Sequence, residues 1–368
     1  MTAGWQDRSL ADLLGEFGLD LLPEHDFPTD GWSGATFTSL VDAYGRRYVL
    51  KRTSPLIDWI ARATRDDELR EGWFATLPPG TLAWLPQATS PYLGAAADGI
   101  GVAILTPDLS SELLAWERPG HDPVIDLATL DRVLHAVARL HMIPWADTIE
   151  AGLDREGSAP PPWCPLPERL TLLAPASAAR YAADDNPVGR RFLDGWDAFD
   201  RRASTSARAL VARLGADLGG LVGALATLPS VGLHGDLKLA NVALLPDDQV
   251  AFIDWQMTLR APVAVELGWF LVSNSGSLPL APDVVLQRYR DTLEGDARRT
   301  IDGDWSDLQV LRDWDLQTDL AWIIGLLLRG WRKGLDAEAG VTLPSGVSAA
   351  DDLAWWCARA DEAAARRL

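Results

Sequence analysis

Between Leu233 and Trp255 the chain reads Leu233-His-Gly-Asp236-Leu-Lys238-Leu-Ala-Asn241-Val and then Val250-Ala-Phe-Ile-Asp254-Trp255. Asp236 and Asn241 stand five residues apart on a loop, and an apolar run ends on Asp254. A strand–loop–strand unit brings all three side chains to one spot, so the chain must turn back on itself here. Any one of them alone is an ordinary turn former. Together they supply a base, an amide oxygen and a carboxylate oxygen.

The rest of the chain separates strands from helices. Residues 9–20 have the pattern of a short amphipathic helix. A strand follows over Ala35–Val41, a hairpin turn at Ala43-Tyr-Gly45, and a returning strand over Arg47–Arg52 that carries Lys51 at its end. A helical pattern runs from 55 to 77 and is closed by Pro78-Pro79-Gly80. Two further β segments lie near Tyr92–Ala95 and Ile100–Leu105, before Pro107 interrupts the pattern. Beyond it Leu127, Leu130, Leu134, Val137 and His141 recur at helical spacing, and five prolines between Ser158 and Pro167 mark a loop. Helical patterns return at 188–201 and 205–227, and 263–368 is mostly helical. This is an α+β order: a β-rich N-terminal lobe over 1–105 and a larger helical lobe over 106–368.

Phosphoryl transfer needs what the central segment offers. A carboxylate must orient the acceptor hydroxyl, oxygen ligands must hold Mg²⁺ against the phosphates, and a cation must neutralise phosphate charge. His-Gly-Asp-Leu-x-x-x-Asn followed by Ile-Asp-Trp resembles the aminoglycoside phosphotransferase group of kinase-like enzymes, which also includes choline, maltose and fructosamine kinases. The resemblance implies a bilobal protein-kinase-like fold, with Asp236 as catalytic base and Asn241 and Asp254 as Mg²⁺ ligands. It also implies His234 as a brace for the loop, and ATP or GTP as donor. Many members carry His where this chain has Lys238. A Lys there is closer to the protein-kinase pattern and is expected to touch the γ-phosphate.

The same resemblance predicts partners upstream. Tyr48-Val-Leu-Lys51 is similar to the strand that carries the nucleotide-binding lysine. Arg70-Glu71 is similar to the helical Arg-Glu pair that supplies its carboxylate, with Glu68 as the alternate. Asp30-Gly-Trp-Ser33-Gly34 falls where a phosphate-covering loop belongs, and glycine lets backbone approach phosphate. Ile104-Leu-Thr106-Pro107-Asp-Leu109 is similar to the hinge between lobes. Pro107 has no N–H, so base contacts fall to backbone groups of Leu105, Thr106 or Asp108. Glu266-Leu267 stands where relatives have Asp-Leu and is expected to be structural.

Charge narrows the partners. The net charge is −19, and no Lys/Arg cluster forms the basic face that nucleic acid or an anionic membrane requires. The acidity serves either solubility or the steering of a cationic substrate. Asp313, Asp315 and Asp319 with Trp314 and Trp322 form a helical, Trp-bearing acidic segment suited to a cationic or sugar-like acceptor. The two cysteines, Cys164 and Cys357, make no disulfide framework. With no apolar run of spanning length and no leader-like N-terminus, a cytoplasmic protein is expected. The expectation is therefore a small-molecule kinase. A nucleotide-binding pseudokinase and an atypical protein kinase are the alternatives, and the intact Lys51, Asp236, Asn241, Asp254 set argues against the first. Ile-Asp-Trp in place of a glycine-hinged Asp-Phe-Gly argues against the second.

Overall fold

A computed structural model describes residues 4–20, 32–77, 88–89, 91–114, 124–143, 163–184, 186–300 and 309–368. Asp30, Gly31, the Pro78-Pro79-Gly80 stop and residues 158–162 of the proline-rich loop lie outside them.

Four antiparallel strands form the N-terminal sheet: β1 (Thr36–Val41), β2 (Arg47–Thr53), β4 (Gly94–Asp98) and β5 (Gly101–Pro107), in the order β1-β2-β5-β4. β3 (Ala88–Thr89) lies apart, parallel to a strand of the other lobe. The two-residue period of β2 decides what faces what. Tyr48 and Leu50 are buried with Leu13, Leu14 and Leu40 under α1 (Leu10–Glu16). Val49 and Lys51 take the opposite face, opposite Thr106 and Ile104 of β5. β2 continues past Lys51 to Thr53, so the lysine sits on a strand paired on both sides rather than at a loose end.

The helix expected over 55–77 is two short ones, α2 (Trp59–Ala63) and α3 (Arg70–Ala75). Local side-chain bonds compete with a continuous helix. Asp58 accepts from the Ile60 and Ala61 amides, Asp66 Oδ1 accepts from the Arg70 amide at 2.8 Å, and Leu69 turns to φ +54°.

The C-terminal lobe contains α4 (Leu127–Met142), α5 (Leu166–Thr171), α6 (Pro175–Ala183), α7 (Pro187–Arg202), α8 (Thr205–Ala216) and α9 (Gly219–Ala226). After an insert of short strands come α10 (Val263–Asn274), α11 (Pro282–Thr300), α12 (Trp314–Glu338) and α13 (Ala349–Arg367). α12 is the central pillar and packs on α7, α10 and α13. Its apolar run, Leu320 to Leu328, is buried on all sides, as an enclosed helix must be. The insert has β6 (Val231–Leu233) paired with β9 (Leu259–Ala261), and β7 (Val242–Leu244) paired with β8 (Val250–Phe252). The arrangement is the expected α+β, bilobal, protein-kinase-like one. Among the described residues no single helix is long and apolar enough to cross a membrane.

Candidate active site

The loop after β6 is held by a buried polar chain. Gly235 adopts φ +83°, and a Cβ on it would stand 1.9 Å from the Met257 carbonyl oxygen, so only glycine fits. Its amide donates to Glu266 Oε1 at 2.6 Å. Glu266 is 1% exposed and its other oxygen lies 2.8 Å from His141 Nε2, while His141 Nδ1 lies 2.7 Å from the Tyr289 hydroxyl. Burial pushes the Glu266 carboxyl up, yet the hydrogen bond and charge of His141 bring it below its ordinary range. His234 spans two strands. Its Nδ1 accepts from the Asp236 amide at 3.2 Å and its Nε2 donates to the Ile253 carbonyl at 2.9 Å, which fixes the neutral tautomer.

Asp236, Lys238 and Asn241 meet on this loop. Asn241 Nδ2 donates to the Asp236 carbonyl at 2.8 Å and to Asp236 Oδ2 at 3.1 Å. Lys238 Nζ lies 3.2 Å from the same Oδ2. Burial would depress the Lys238 ammonium, but Asp236 and Asp254 raise it, so it stays charged. The Asn241 carbonyl accepts from the Ile253 amide at 3.0 Å, tying this loop to the strand end that carries Asp254.

Asp254 sits at φ +66°, between β8 and the turn at Trp255. Its Oδ1 lies 2.7 Å from Lys51 Nζ, which also lies 2.5 Å from Glu71 Oε2. Glu68 is exposed, so Glu71 is the partner of Lys51. Burial disfavours the ammonium, but the charges of Asp254 and Glu71 outweigh it and raise Lys51 above its usual range. Burial raises Glu71, and Lys51 only partly offsets it; Asp254 is brought low by Lys51 and Lys238 despite burial. Tyr92 adds a brace that no motif announced. Its hydroxyl donates to Glu71 Oε1 at 2.8 Å and accepts from the Trp255 amide at 3.3 Å.

Of the expected phosphate-covering loop, Trp32, Ser33 and Gly34 are described. Gly34 has φ +96°, and a Cβ there would stand 2.3 Å from the Ile57 carbonyl oxygen. The Ser33 carbonyl accepts from the Trp59 amide at 3.0 Å, which pins the loop to α2. At the hinge, two expected base contacts are already engaged. The Leu105 carbonyl accepts from Leu93 at 2.9 Å and the Asp108 amide donates to Arg47 at 3.0 Å. Thr106 lies on the same face as Val49 and Lys51, paired with Val49 in the ladder, and its hydroxyl donates to the Val49 carbonyl at 3.4 Å.

Gly34 lies on the neighbouring cleft, while Lys51, Glu71, Asp236, Lys238, Asn241 and Asp254, with Ser33 and Thr106, border one cavity of about 310 Å³. At its N-lobe end are Val49, Ile104, Thr106 and Leu109; at its other end, beyond Asp236, are Arg169, Phe192, Trp269, Arg329 and Trp331. The acidic helix face is not there. Asp319 is buried against Arg366 and Arg367, and Trp322 packs on Trp355 and Trp356. Asp313 and Asp315 are exposed and border neither this cavity nor the wider cleft beside it. A cationic acceptor surface at those positions is thus corrected. Asp319 ties α12 to the C-terminal helix, and where α12 meets the cleft it carries Arg329 and Trp331. A charge at the end of a long apolar helical run was the one signal in the sequence for Arg329. Arg169 and Trp269 had none.

The arrangement can hold a divalent cation. Asp254 and Asn241 offer hard oxygen donors on one cavity wall, and Mg²⁺ takes one or two protein oxygens beside those of phosphates and water. No cluster of three or more His, Cys, Asp or Glu side chains suited to a metal occurs among the described residues.

Residues 27–303 match the sequence profile described as the phosphotransferase enzyme family. No curated protein matches the chain. Among solved structures, a macrolide 2'-phosphotransferase type I is 18% identical, with 96% of this chain and 97% of that one covered and a TM-score of 0.46. The macrolide 2'-phosphotransferase MphH of Brachybacterium faecium is also 18% identical, over 87% of this chain and 97% of that one, with a TM-score of 0.41. The amicoumacin kinase hAmiN, solved with AMP-PNP, Ca²⁺ and its ligand Ami, is 12% identical over 95% and 91%, with a TM-score of 0.49.

Proposed function

Because the chain belongs to the phosphotransferase enzyme family, we propose that it moves the γ-phosphate of ATP or GTP, as the magnesium complex, to a hydroxyl of a small molecule. The observation that carries this reading is the position of Lys51. Its ammonium bonds both Glu71 and Asp254 in the cavity that also holds Asp236. A lysine held charged between two carboxylates is an anchor for phosphate oxygens.

In this reading residues 1–105 are the nucleotide-binding lobe and 106–368 the catalytic and substrate-binding lobe. The nucleotide base lies on the face of the β2–β5 pair that carries Val49, Ile104 and Thr106. Ser33 and Gly34 cover the phosphates, and Lys51, fixed by Glu71, binds them. Asn241 and Asp254 hold Mg²⁺, which when bound neutralises charge on the phosphate oxygens. Asp236 accepts the hydrogen bond of the acceptor hydroxyl, aims its oxygen, and takes its proton as that oxygen bonds the γ-phosphorus and the bond from phosphorus to the β,γ-bridging oxygen breaks, releasing the nucleoside diphosphate. Lys238, 3.2 Å from Asp236, steadies that carboxylate and meets the transferred phosphoryl group. The unbridged Cys164 and Cys357 suit a cytoplasmic enzyme. The acceptor enters beside Asp236, and a cationic one would need carboxylates beyond those already engaged.

The test is a nucleotide-consumption screen against hydroxylated small molecules, run beside a titration with MgADP. Consumption that depends on a small-molecule alcohol supports the proposal. Binding without consumption across the screen favours a pseudokinase, and label appearing in protein favours a protein kinase.

A further inference from the structure

Arg169 is a charge shut inside the C-terminal lobe. It lies on α5, is 1% exposed, and forms no ion pair among the described residues. Its Nη1 is enclosed with no hydrogen-bond partner there. Burial pulls its guanidinium below the usual range, and the charge that most opposes this is that of Asp236. An enclosed charge without a counter-ion is expensive. A neutral amide would serve a carbonyl acceptor without that cost, so the charge itself calls for an explanation.

What Arg169 touches is the loop that carries Asp236. Its Nε donates to the Gly235 carbonyl at 2.8 Å, and the other polar atom of the same peptide group, the Asp236 amide, donates to His234 Nδ1 at 3.2 Å. The Gly235–Asp236 peptide is thus held at both its oxygen and its nitrogen, which fixes where the Asp236 side chain begins. The guanidinium lies 4.8 Å from the Trp269 ring centroid, a cation–π contact that keeps it in place. The support behind it is firm. The Cys164 amide, just before α5, donates to the Thr258 carbonyl at 2.8 Å, and Glu168 on α5 lies 2.8 Å from Arg65 of the N-terminal lobe. α5 also packs on α12 and on β9, the strand that pairs with β6 at the foot of the loop.

We propose that Arg169 is a positioning residue for Asp236: it locks the Gly235–Asp236 peptide and sets a fixed positive charge behind the loop, so that the carboxylate keeps one direction toward the acceptor hydroxyl. At 1% exposure it touches neither substrate nor phosphate itself. A reacting group misplaced by about 1 Å loses about 10²-fold in rate, so an anchor on the peptide next to Asp236 acts on turnover rather than on nucleotide binding. Glu266 and His234 hold neighbouring atoms of the same turn; Arg169 differs in bringing a charge that does not titrate in the working pH range. This rests on the phosphotransferase reading, because it gives Asp236 the acceptor hydroxyl.

Three variants of the full chain test it. Arg169→Met removes donor and charge, Arg169→Gln removes the charge alone, and Arg169→Lys keeps both. Turnover of MgATP with the alcohol most rapidly consumed in the screen is followed beside MgADP titrations, thermal melts and amide hydrogen exchange. In Arg169→Met the turnover number is expected to fall about 10²-fold. The KM of MgATP should hold, and the amides of residues 233–238 should exchange faster than in the unmodified protein. Melting should hold as well, because an apolar side chain there sheds the desolvation of a buried charge. Arg169→Gln should fall nearly as far in rate, and Arg169→Lys should recover most of it. Should Arg169→Met fail to fold, Arg169→Gln against Arg169→Lys decides alone. An unchanged turnover number in the Met and Gln variants overturns the proposal. So does a rate that falls only together with melting and MgADP affinity, which would make Arg169 a packing residue, or a Lys variant no faster than the Gln one. Failure of MgADP to bind the unmodified protein would instead strike the phosphotransferase reading.

Discussion

Lys51 Nζ and Asp254 Oδ1 stand 2.7 Å apart across 203 positions of the chain. One comes from the middle of the N-terminal sheet and the other from the turn after β8. This contact joins the two lobes, that of Lys51 with Glu71 holds the lysine in place, and each partner is costly to leave unpaired.

Lys51→Met therefore has two effects. It leaves Glu71 without its cation and Asp254 with Lys238 alone, and removing one partner of a buried ion pair costs about 3–5 kcal/mol. Denaturant unfolding should show that loss. Lys51→Met/Glu71→Gln should recover part of the stability and none of the transfer activity. A double variant that regains turnover would remove Lys51 from phosphate binding.

Tyr92→Phe keeps the ring and deletes the hydroxyl between Glu71 and the Trp255 amide. About 1–3 kcal/mol of stability should go with it, since a buried amide loses its partner. Nucleotide affinity should fall as well, because Glu71 is freed to turn away from Lys51. A variant with lowered stability and unaltered nucleotide affinity would make Tyr92 a packing residue only.

Glu266→Ala strips the Gly235 amide of its acceptor and leaves His141 without its carboxylate. Each buried donor so orphaned costs about 1–3 kcal/mol. As a positioning residue, Glu266 should show in the rate of transfer while the nucleotide KM holds. Glu266→Gln, which can still accept from Gly235, should restore most of the rate.

Asp66 predicts the pH dependence of stability. Burial pushes its carboxyl up to about 6, against the opposing charge of Arg70. A folded value above the unfolded one means the native state binds the proton more tightly. The contribution is complete below about pH 4 and is lost as pH rises through about 6, amounting to about 3 kcal/mol at most. Melting curves from pH 4 to 7 should show the wild type losing stability relative to Asp66→Asn over that window. Parallel curves would contradict the assignment.

The loop after β6 was legible because its residues are contiguous. Asp236, Lys238 and Asn241 fall within one turn of chain, and the apolar strand before Asp254 announces itself. Glu71 could not be separated from Glu68 by periodicity, because the choice depends on the break at Leu69 and the bond from Asp66 that restarts the helix. The far end of the cavity was not legible at all. Arg169, Trp269, Arg329 and Trp331 come from three helices, and no local pattern links them. Asp319 misled for the same reason, since its partners Arg366 and Arg367 lie 47 and 48 residues away.

Asp236→Asn tests the central claim most directly, because it preserves shape and the hydrogen bonds of the loop while removing the base. Transfer should be followed with an acceptor found in the consumption screen, beside a melt and an MgADP titration on the same preparation. The turnover number should drop by about 10²–10⁴, with folding and nucleotide affinity retained. Turnover at the wild-type rate in that variant would contradict the role given to Asp236 and the mechanism built on it.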